Sequence, residues 1–410
     1  MASQPVPNQP VPNLDHLPTE VLERIFFSIA DLRSIYHLVT ASPTASSVFE
    51  SSEAGPKILH HVLGQSMSPH VVDLVRLVGL VRISTPGCPP APSLEAFVER
   101  YTRCRDDRGS RFVPAPSLSH TLRDQPPHLV RGVLLTARRI CCLTWACLDF
   151  YRDSWSSVTP SHVDVAFGWG AGYQKPWRQE VPPGKPYNPQ PLGPPCWMEE
   201  QRVMRGFWRL QLLIDLKRAA SEKRLDWALE EVQLEISPEI LFAPWTWQEE
   251  EFLTVVDFID HFHGGSILTV RCHCLTAPPA NYASASEWQD PAVPGVIDRR
   301  WSREEISKGR PPCWGFYWVN LRHTPFSPIR GCPFWPYRQL GLAIWEGDKL
   351  EALELAPRAF TLPRKPSSWG NPVFTWRSLL SQQLIAQLVS DMEEGFQKNG
   401  FSFGQRNPDM

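Results

Sequence analysis

The residues best suited to metal chemistry are two histidines and two cysteines in the second half of the chain. They form the pairs His261-x-His263 and Cys272-x-Cys274. Mixed His/Cys sets suit tetrahedral zinc. However, the spacing matches no standard zinc motif, and residues 249–262 have a helical pattern, in which positions i and i+2 point in different directions. The sequence therefore predicts that no metal binds at these four residues.

Three arginines could instead bind a charged partner. Arg202, Arg205 and Arg209 recur at i, i+3 and i+7 and share one face of a predicted helix. Arginine forks suit acidic or phosphorylated groups on a partner. Pairing with nearby acids, or simple hydration, is more common for such a row and is the favoured interpretation.

The tryptophans offer a similar choice between two roles. They could be interface anchors, but the favoured interpretation is that most are core residues that hold Pro-rich loops in place. Those concerned are Trp169, Trp177, Trp197, Trp314, Trp318, Trp335 and Trp345.

Motifs of the common catalytic sites are absent from the sequence. There is no Gly-x-Ser-x-Gly turn, no Gly-rich phosphate loop and no His-Glu-x-x-His helix. Carboxylates gather at residues 249–251 without a partner motif, which is typical of a solvated helix face. We therefore predict a non-catalytic protein that needs no cofactor.

Composition limits the class of protein and its partners. A chain of 410 residues is longer than one hydrophobic core usually spans. Its formal net charge is only −2, without blocks of like charge, so neither a nucleic acid nor a membrane surface is expected as a partner. The ten cysteines have no regular spacing, which suits a reducing compartment. Because the first thirteen residues also lack the apolar core of a signal peptide, we expect a cytoplasmic or nuclear protein.

Helical patterns dominate the chain, so the predicted fold class is mainly α. The 42 prolines, roughly twice the ordinary usage, also predict long irregular connections. Beyond residue 64, helices are predicted over residues 68–83, 93–105, 128–152, 199–220, 249–263 and 373–397. Pro-rich loops are predicted over residues 159–195, 277–295 and 310–336, and short strands over 267–270 and 316–321.

The most informative stretch begins at Leu17-Pro18. Proline is favoured at the first position of a helix, where its missing N–H would have no partner. The apolar residues that follow recur on one helical face: Val21, Leu22, Ile25, Phe26 and Ile29.

Two more short helices are predicted directly afterwards. Asp31 is placed to cap the second helix, whose apolar stripe is Leu32, Ile35, Leu38 and Val39. Ser42 and Pro43 predict the N-cap and first residue of a third helix that ends near Phe49. Three such short helices cannot bury all their aliphatic surface among themselves, so either the following region or another protein must cover it.

This stretch resembles the F-box. The resemblance lies in Leu17-Pro18-x-Glu20-Val21-Leu22-x-x-Ile25-Phe26, followed by Asp31-Leu32-x-Ser34-Ile35-x-x-Leu38. Ala41-Ser42-Pro43 is similar to the version common in filamentous-fungal proteins, as are the later segments 199–212 and 340–353. The Cys-Arg-x-Trp-like end of the general motif is absent, and Val48-Phe49 stands in its place.

The three short helices together form what we call the hairpin. The resemblance implies that a Skp-family adaptor binds across the hairpin and links the chain to a cullin scaffold. Carried onto this sequence, the docking residues are Leu17, Pro18, Val21, Leu22, Ile25, Ile29, Leu32, Ile35 and Leu38. The implied function is the substrate receptor of a Skp–cullin–F-box ubiquitin ligase, with an unknown protein substrate. The predicted organisation is a disordered tail (1–13), the F-box (14–64), a helical substrate-recruitment region with long Pro/Trp-rich loops (65–397) and a C-terminal tail (398–410).

An alternative stays open: the chain is a non-ligase scaffold whose hairpin stripe packs internally against residues 58–63 and 71–83. Exposure distinguishes the two hypotheses. Docking predicts that Leu17, Val21, Leu22 and Ile35 are partly exposed, because they await a partner.

Overall fold

The computed structural model describes residues 14–101, 115–162, 184–227, 247–263, 275, 333–355 and 375–399. These residues are mainly helical, which confirms the predicted fold class. The predicted strands and the Pro-rich segment 277–295 lie outside the described residues, as does most of the segment 310–336. No helix in the described ranges is both long and apolar enough to cross a bilayer.

The first helices follow the capping residues of the sequence. A single 3₁₀ turn, Leu14–His16, precedes α1 (Thr19–Ser28), α2 (Leu32–Ala41) and α3 (Pro43–Phe49). The Asp31 carboxylate accepts the Ser34 N–H at 2.7 Å, and the Ser42 hydroxyl accepts the Ala45 N–H at 3.1 Å. Both predicted caps are therefore confirmed. Pro18 is the N-cap residue of α1 rather than its first helical residue.

The next helices match the predicted periodic segments to within a few residues. They are α4 (Ala54–Ser66), α5 (Pro69–Ile83), α6 (Leu94–Tyr101), α7 (Leu118–Thr121), α8 (Pro127–Ser156) and α9 (Trp197–Ser221). Two of them, α4 and the four-residue α7, have no counterpart among the helices predicted above. A single helical turn such as α7 is too short to show a period.

The remaining described elements are short apart from two helices. They are α10 (Trp247–His263), α11 (Trp335–Arg338), α12 (Gly347–Ala352) and α13 (Gln382–Asn399), with strands β1 (Ser161–His162) and β2 (Lys185–Pro186). The strands pair antiparallel, with Ser161 opposite Pro186. The prediction of one helix over 373–397 was wrong at its start, because Ser381 caps a new helix by accepting the Leu384 N–H at 3.2 Å.

The chain forms two compact units. Unit 1 contains residues Met1–Trp145, Phe207–Ala243 and Cys272–Pro291, and unit 2 contains Ala146–Gly206, Pro244–Arg271 and Ala292–Met410. The division falls within α8 and α9, so each unit takes one part of both helices. The predicted domain boundary at residue 64 lies inside unit 1, and the F-box division stays a prediction.

Polar bonds between distant residues fix the helices of unit 1. The Arg224 guanidinium donates to the carbonyl oxygens of Val81 and Ser84 at 2.9 and 3.2 Å, and so satisfies the free C-terminal end of α5. Arg82 on α5 pairs with Asp215 on α9 at 3.0 Å. Burial raises the pKa of the Asp215 carboxyl, and the Arg82 charge opposes that rise.

Candidate partner-binding site

The apolar residues of α1 divide between two directions. Leu22 and Phe26 are fully buried, whereas Val21 is 40% exposed. Neighbouring residues on a helix lie 100° apart, so a broad apolar stripe can be buried along one edge and accessible along the other. Ile25, one turn after Val21, is half-buried. The accessible edge of α1 therefore faces away from the core of unit 1.

Accessible apolar side chains also precede α1 in the chain. Leu14 is 39% exposed, Pro18 is exposed and Leu17 is half-buried. The Leu17 N–H donates to the Leu14 carbonyl at 3.1 Å, and residues three apart in a 3₁₀ turn lie on the same side. We call this surface the outer face of the hairpin, and it consists of Leu14, Leu17, Pro18, Val21 and Ile25.

The nine predicted docking residues fall into three groups. Pro18 and Val21 are exposed, and four residues are half-buried: Leu17, Ile25, Ile29 and Leu38. Leu22, Leu32 and Ile35 are buried. The expected partial exposure of Leu22 and Ile35 was therefore wrong, because both are fully covered within unit 1, while Leu17 and Val21 are accessible as expected.

The buried side of the hairpin packs against the helices that follow it. Helices α1 and α2 both contact α3 and α4. The rings of Phe26 and Phe49 lie 6.0 Å apart, and Val48 is only 5% exposed. Val48-Phe49, which stands where the general F-box pattern has its Cys-Arg-x-Trp-like end, is thus part of this core.

Two contacts from α8 also fix the hairpin. Arg131 pairs with Glu50 at 2.7 Å. The Arg138 guanidinium lies 4.4 Å from the centre of the Tyr36 ring, within the range of a cation–π interaction. The hairpin is therefore held within unit 1, and its outer face has a fixed position there.

Sequence reasoning missed the accessible apolar residue Leu14, whereas helical periodicity already places Phe27 as a lone apolar residue on the polar face of α1. The Leu14-x-x-Leu17 spacing was a usable signal for Leu14, because the two residues share a side of one turn. Phe27, 39% exposed, lies on another side of α1 and stacks edge-on against His61 at 5.6 Å. It forms no part of the outer face.

Arg202 and Arg205 of α9 serve the fold rather than a partner. Arg205 donates two hydrogen bonds to the Glu251 carboxylate, at 2.7 and 3.0 Å, and both side chains are at most 5% exposed. Arg202 is also buried, donates to the Ile344 carbonyl at 2.8 Å and pairs with Glu346. Pairing within the fold, the favoured interpretation, is confirmed for these two. Arg209 is 8% exposed.

Within unit 2, residues 199–206 of the first segment that resembles the fungal group contact the second segment, 340–353. Glu199 on α9 accepts the Glu346 N–H at 2.9 Å and the ammonium of Lys349, which precede and lie within α12 respectively. Arg202 adds its bond to Ile344. We call the buried side chains Glu199, Arg202, Arg205 and Glu251 the ionic centre of unit 2.

Glycine permits close packing at two positions. A Cβ on Gly206 would lie 3.0 Å from both methyl groups of Val255, so α9 and α10 approach more closely than a side chain allows. Gly341 has a φ of +65° and would place a Cβ 2.7 Å from the Tyr151 Cβ. Gly206 thus brings the two helices of the ionic centre together, and Gly341 allows its own segment to approach Tyr151 on α8.

The sequence predicts that no metal binds at the pairs His261-x-His263 and Cys272-x-Cys274, and the structure describes only the first pair. His261 is exposed at the end of α10, with its ring 5.0 Å from that of Phe150. Cys272 and Cys274 lie outside the described residues, and the absence of metal there stays a prediction. Within the ranges that the structure describes, no three His, Cys, Asp or Glu side chains are grouped to hold a metal ion.

The tryptophans that the structure describes divide unevenly. Trp197 and Trp345 are buried, at 5% and 1% exposure, and Trp335 is 36% exposed. The core role is therefore confirmed for the first two. Trp169, Trp177, Trp314 and Trp318 lie outside the described residues.

Comparison with known proteins identifies no relative. No family model matches the chain, and no curated protein or solved structure matches it. The F-box resemblance accordingly depends on the hairpin residues and their arrangement.

Proposed function

We propose that this chain is the substrate receptor of a Skp–cullin–F-box ubiquitin ligase, and that a Skp-family adaptor binds the outer face of its hairpin. The observation that supports the proposal most strongly is the accessible apolar edge at Val21 and Pro18, directly within the Leu-Pro-x-Glu-Val-Leu stretch that resembles the F-box. Accessible aliphatic surface next to a folded core is typical of a protein-binding site.

The fixed position of the hairpin fits the role of a receptor. A substrate receptor does no bond chemistry, and it acts by raising the effective concentration of substrate lysines near the transfer enzyme. The contacts Arg131–Glu50 and Arg138–Tyr36 fasten other residues of the hairpin to α8 and leave the outer face accessible. An adaptor bound there would take a defined orientation on unit 1.

Burial divides the nine predicted docking residues into those that could contact the adaptor and those that could only support the hairpin. Leu22, Leu32 and Ile35 are core residues of unit 1 and would act only by supporting the hairpin. The residues proposed to contact the adaptor directly are those with accessible surface: Leu17, Pro18, Val21 and Ile25, together with Leu14.

Two equally exposed residues of α1 provide the test. Val21 is 40% exposed and Phe27 is 39% exposed, about 120° apart around the helix. A charge at the centre of an apolar interface costs about 2 kcal/mol or more, which is about 30-fold in affinity. We expect Val21→Lys to abolish capture of a purified Skp-family adaptor, whereas Phe27→Lys should retain it.

Both variants should keep the circular dichroism spectrum and unfolding midpoint of the parent protein. Equal binding by the parent and Val21→Lys would contradict the proposal.

The scaffold hypothesis is the second candidate, and burial of Leu22, Leu32 and Ile35 favours it, because the hairpin packs as an ordinary part of unit 1. It predicts that no Skp-family adaptor binds the parent chain. Affinity purification from cells with identification of the bound proteins separates the two functions.

A further inference from the structure

Asp15 joins the start of the hairpin to its third helix. Its carboxylate accepts hydrogen bonds from the Ser42 hydroxyl and, at 3.4 Å, from the Thr44 N–H. Its main-chain carbonyl accepts the Thr44 hydroxyl at 3.3 Å. One exposed aspartate thus binds two residues, Ser42 and Thr44, that lie 27 and 29 positions further along the sequence.

The Asp15 bonds also engage the cap of α3. Ser42 donates to Asp15 while its hydroxyl oxygen accepts the Ala45 N–H at 3.1 Å, so Asp15 orients the N-cap side chain. The hydrogen bond from Ser42 is the main reason why the pKa of the Asp15 carboxyl is lowered. The carboxylate form is therefore the one that makes these contacts.

The 3₁₀ turn that carries Asp15 also carries part of the outer face. Leu14 is the first residue of the turn, and Leu17 donates its N–H to the Leu14 carbonyl at 3.1 Å. A single 3₁₀ turn has poor hydrogen-bond geometry and needs support from outside to keep one conformation. Its described contacts with α3 give that support.

We propose that Asp15 is a positioning residue for adaptor binding: it fastens the Leu14–His16 turn to α3, so that Leu14 and Leu17 are already in place beside Val21. This inference rests on the proposed function. Ordering a flexible side chain on binding reduces affinity, and a surface fixed beforehand avoids that loss. Asp15 itself need not touch the adaptor.

The first test compares Asp15→Ala with Asp15→Asn. The alanine variant should bind a purified Skp-family adaptor roughly tenfold more weakly, because Leu14 and Leu17 must then be ordered on binding. The asparagine variant keeps an oxygen that accepts from Ser42 and Thr44, and it should bind within about twofold of the parent protein. Equal weakening by both variants would mean that the charge contacts the partner directly, which would overturn the positioning role.

A second test asks whether Asp15 acts through the leucines. In a Leu14→Ala/Leu17→Ala background, adding Asp15→Ala should weaken adaptor binding no further, because the side chains that Asp15 positions are gone. A further tenfold loss in that background would contradict the proposal.

A third measurement needs no adaptor. Hydrogen exchange of the Leu17 amide should be faster in Asp15→Ala than in the parent protein or in Asp15→Asn. Unchanged exchange and unchanged affinity in Asp15→Ala, with binding still lost in Val21→Lys, would overturn the role of Asp15 and leave the proposed function standing. Unchanged binding in Val21→Lys would instead remove the proposed function.

Discussion

The hairpin and the ionic centre of unit 2 differ in the side chains that they expose and bury. In the hairpin, aliphatic residues such as Val21 stay accessible, and its charged residues stay at or near the surface. In the ionic centre, Glu199, Arg202, Arg205 and Glu251 are buried and paired. Apolar side chains are usually buried and charged side chains usually exposed. Each region therefore contains residues that depart from the usual burial of their type.

The difference shows how to separate a binding surface from a structural one. Arg202 and Arg205 are buried and bound to groups of unit 2, so these two arginines are a feature of the fold. Apolar surface left uncovered beside a packed core has the opposite character, because its free energy falls when a partner covers it. The outer face is thus the better candidate for recognition.

The largest expected effect is the loss of one half of the Arg205–Glu251 pair. Arg205→Ala leaves the Glu251 carboxylate buried and uncompensated, which costs about 3–5 kcal/mol. Urea denaturation followed by tryptophan fluorescence measures the change in the free energy of unfolding. The double variant Arg205→Met/Glu251→Leu removes both charges and should recover most of the loss. A single variant within about 1 kcal/mol of the parent would mean that the pair is not buried in solution.

A neighbouring pair on α1 separates core from surface within the hairpin itself. Leu22→Ala should cost about 2–5 kcal/mol, because the side chain is fully buried and its removal leaves a cavity. Val21→Ala, one residue away and 40% exposed, should change the free energy of unfolding by about 0.5 kcal/mol or less. Equal losses in a denaturation experiment would show that α1 is rotated from the orientation described above.

Much of the helical framework could be predicted from periodicity, whereas the orientation of the hairpin could not. The 100° pattern of α1 gives one apolar stripe that includes both Val21 and Leu22. Which edge becomes buried depends on α4, a separate helix whose packing is a long-range property. The start of α13 was different, because Ser381 is a capping signal already present in the sequence.

The candidate site shows the same limit. The F-box resemblance supplied Leu17, Pro18, Val21 and Ile25, but a pattern of residue types does not distinguish contact residues from the buried residues that support them. The acid that pairs with Arg205 could not be predicted from the sequence either, since Glu251 is 46 positions away. Strands β1 and β2 have two residues each, too few for an alternating pattern to appear.

Substitution of Gly341 tests the close packing of its segment against Tyr151 on α8. Gly341→Ala forces a side chain into a left-handed conformation and places its Cβ 2.7 Å from the Tyr151 Cβ. Together these effects should cost about 1–3 kcal/mol in thermal or urea denaturation. Gly64→Ala is the matched control, because a Cβ there meets nothing within 4 Å. It should stabilise α4 by about 0.5–1 kcal/mol, and a similar loss from both changes would contradict the assigned packing.

The smallest expected effect concerns Asp31, the acid that caps α2. Asp31→Ala removes the acceptor of the Ser34 N–H and should lower the free energy of unfolding by about 1 kcal/mol, while Asp31→Asn should retain the cap. Unlike Asp15, Asp31 does not fasten the Leu14–His16 turn, so adaptor affinity should change by less than about twofold. The comparison needs both measurements, because Asp31 is expected to affect stability alone and Asp15 mainly binding. If Asp31→Ala weakened adaptor binding as much as Asp15→Ala, the two acids would share one general stabilising role, and the distinction between the outer face and its supporting core would fail.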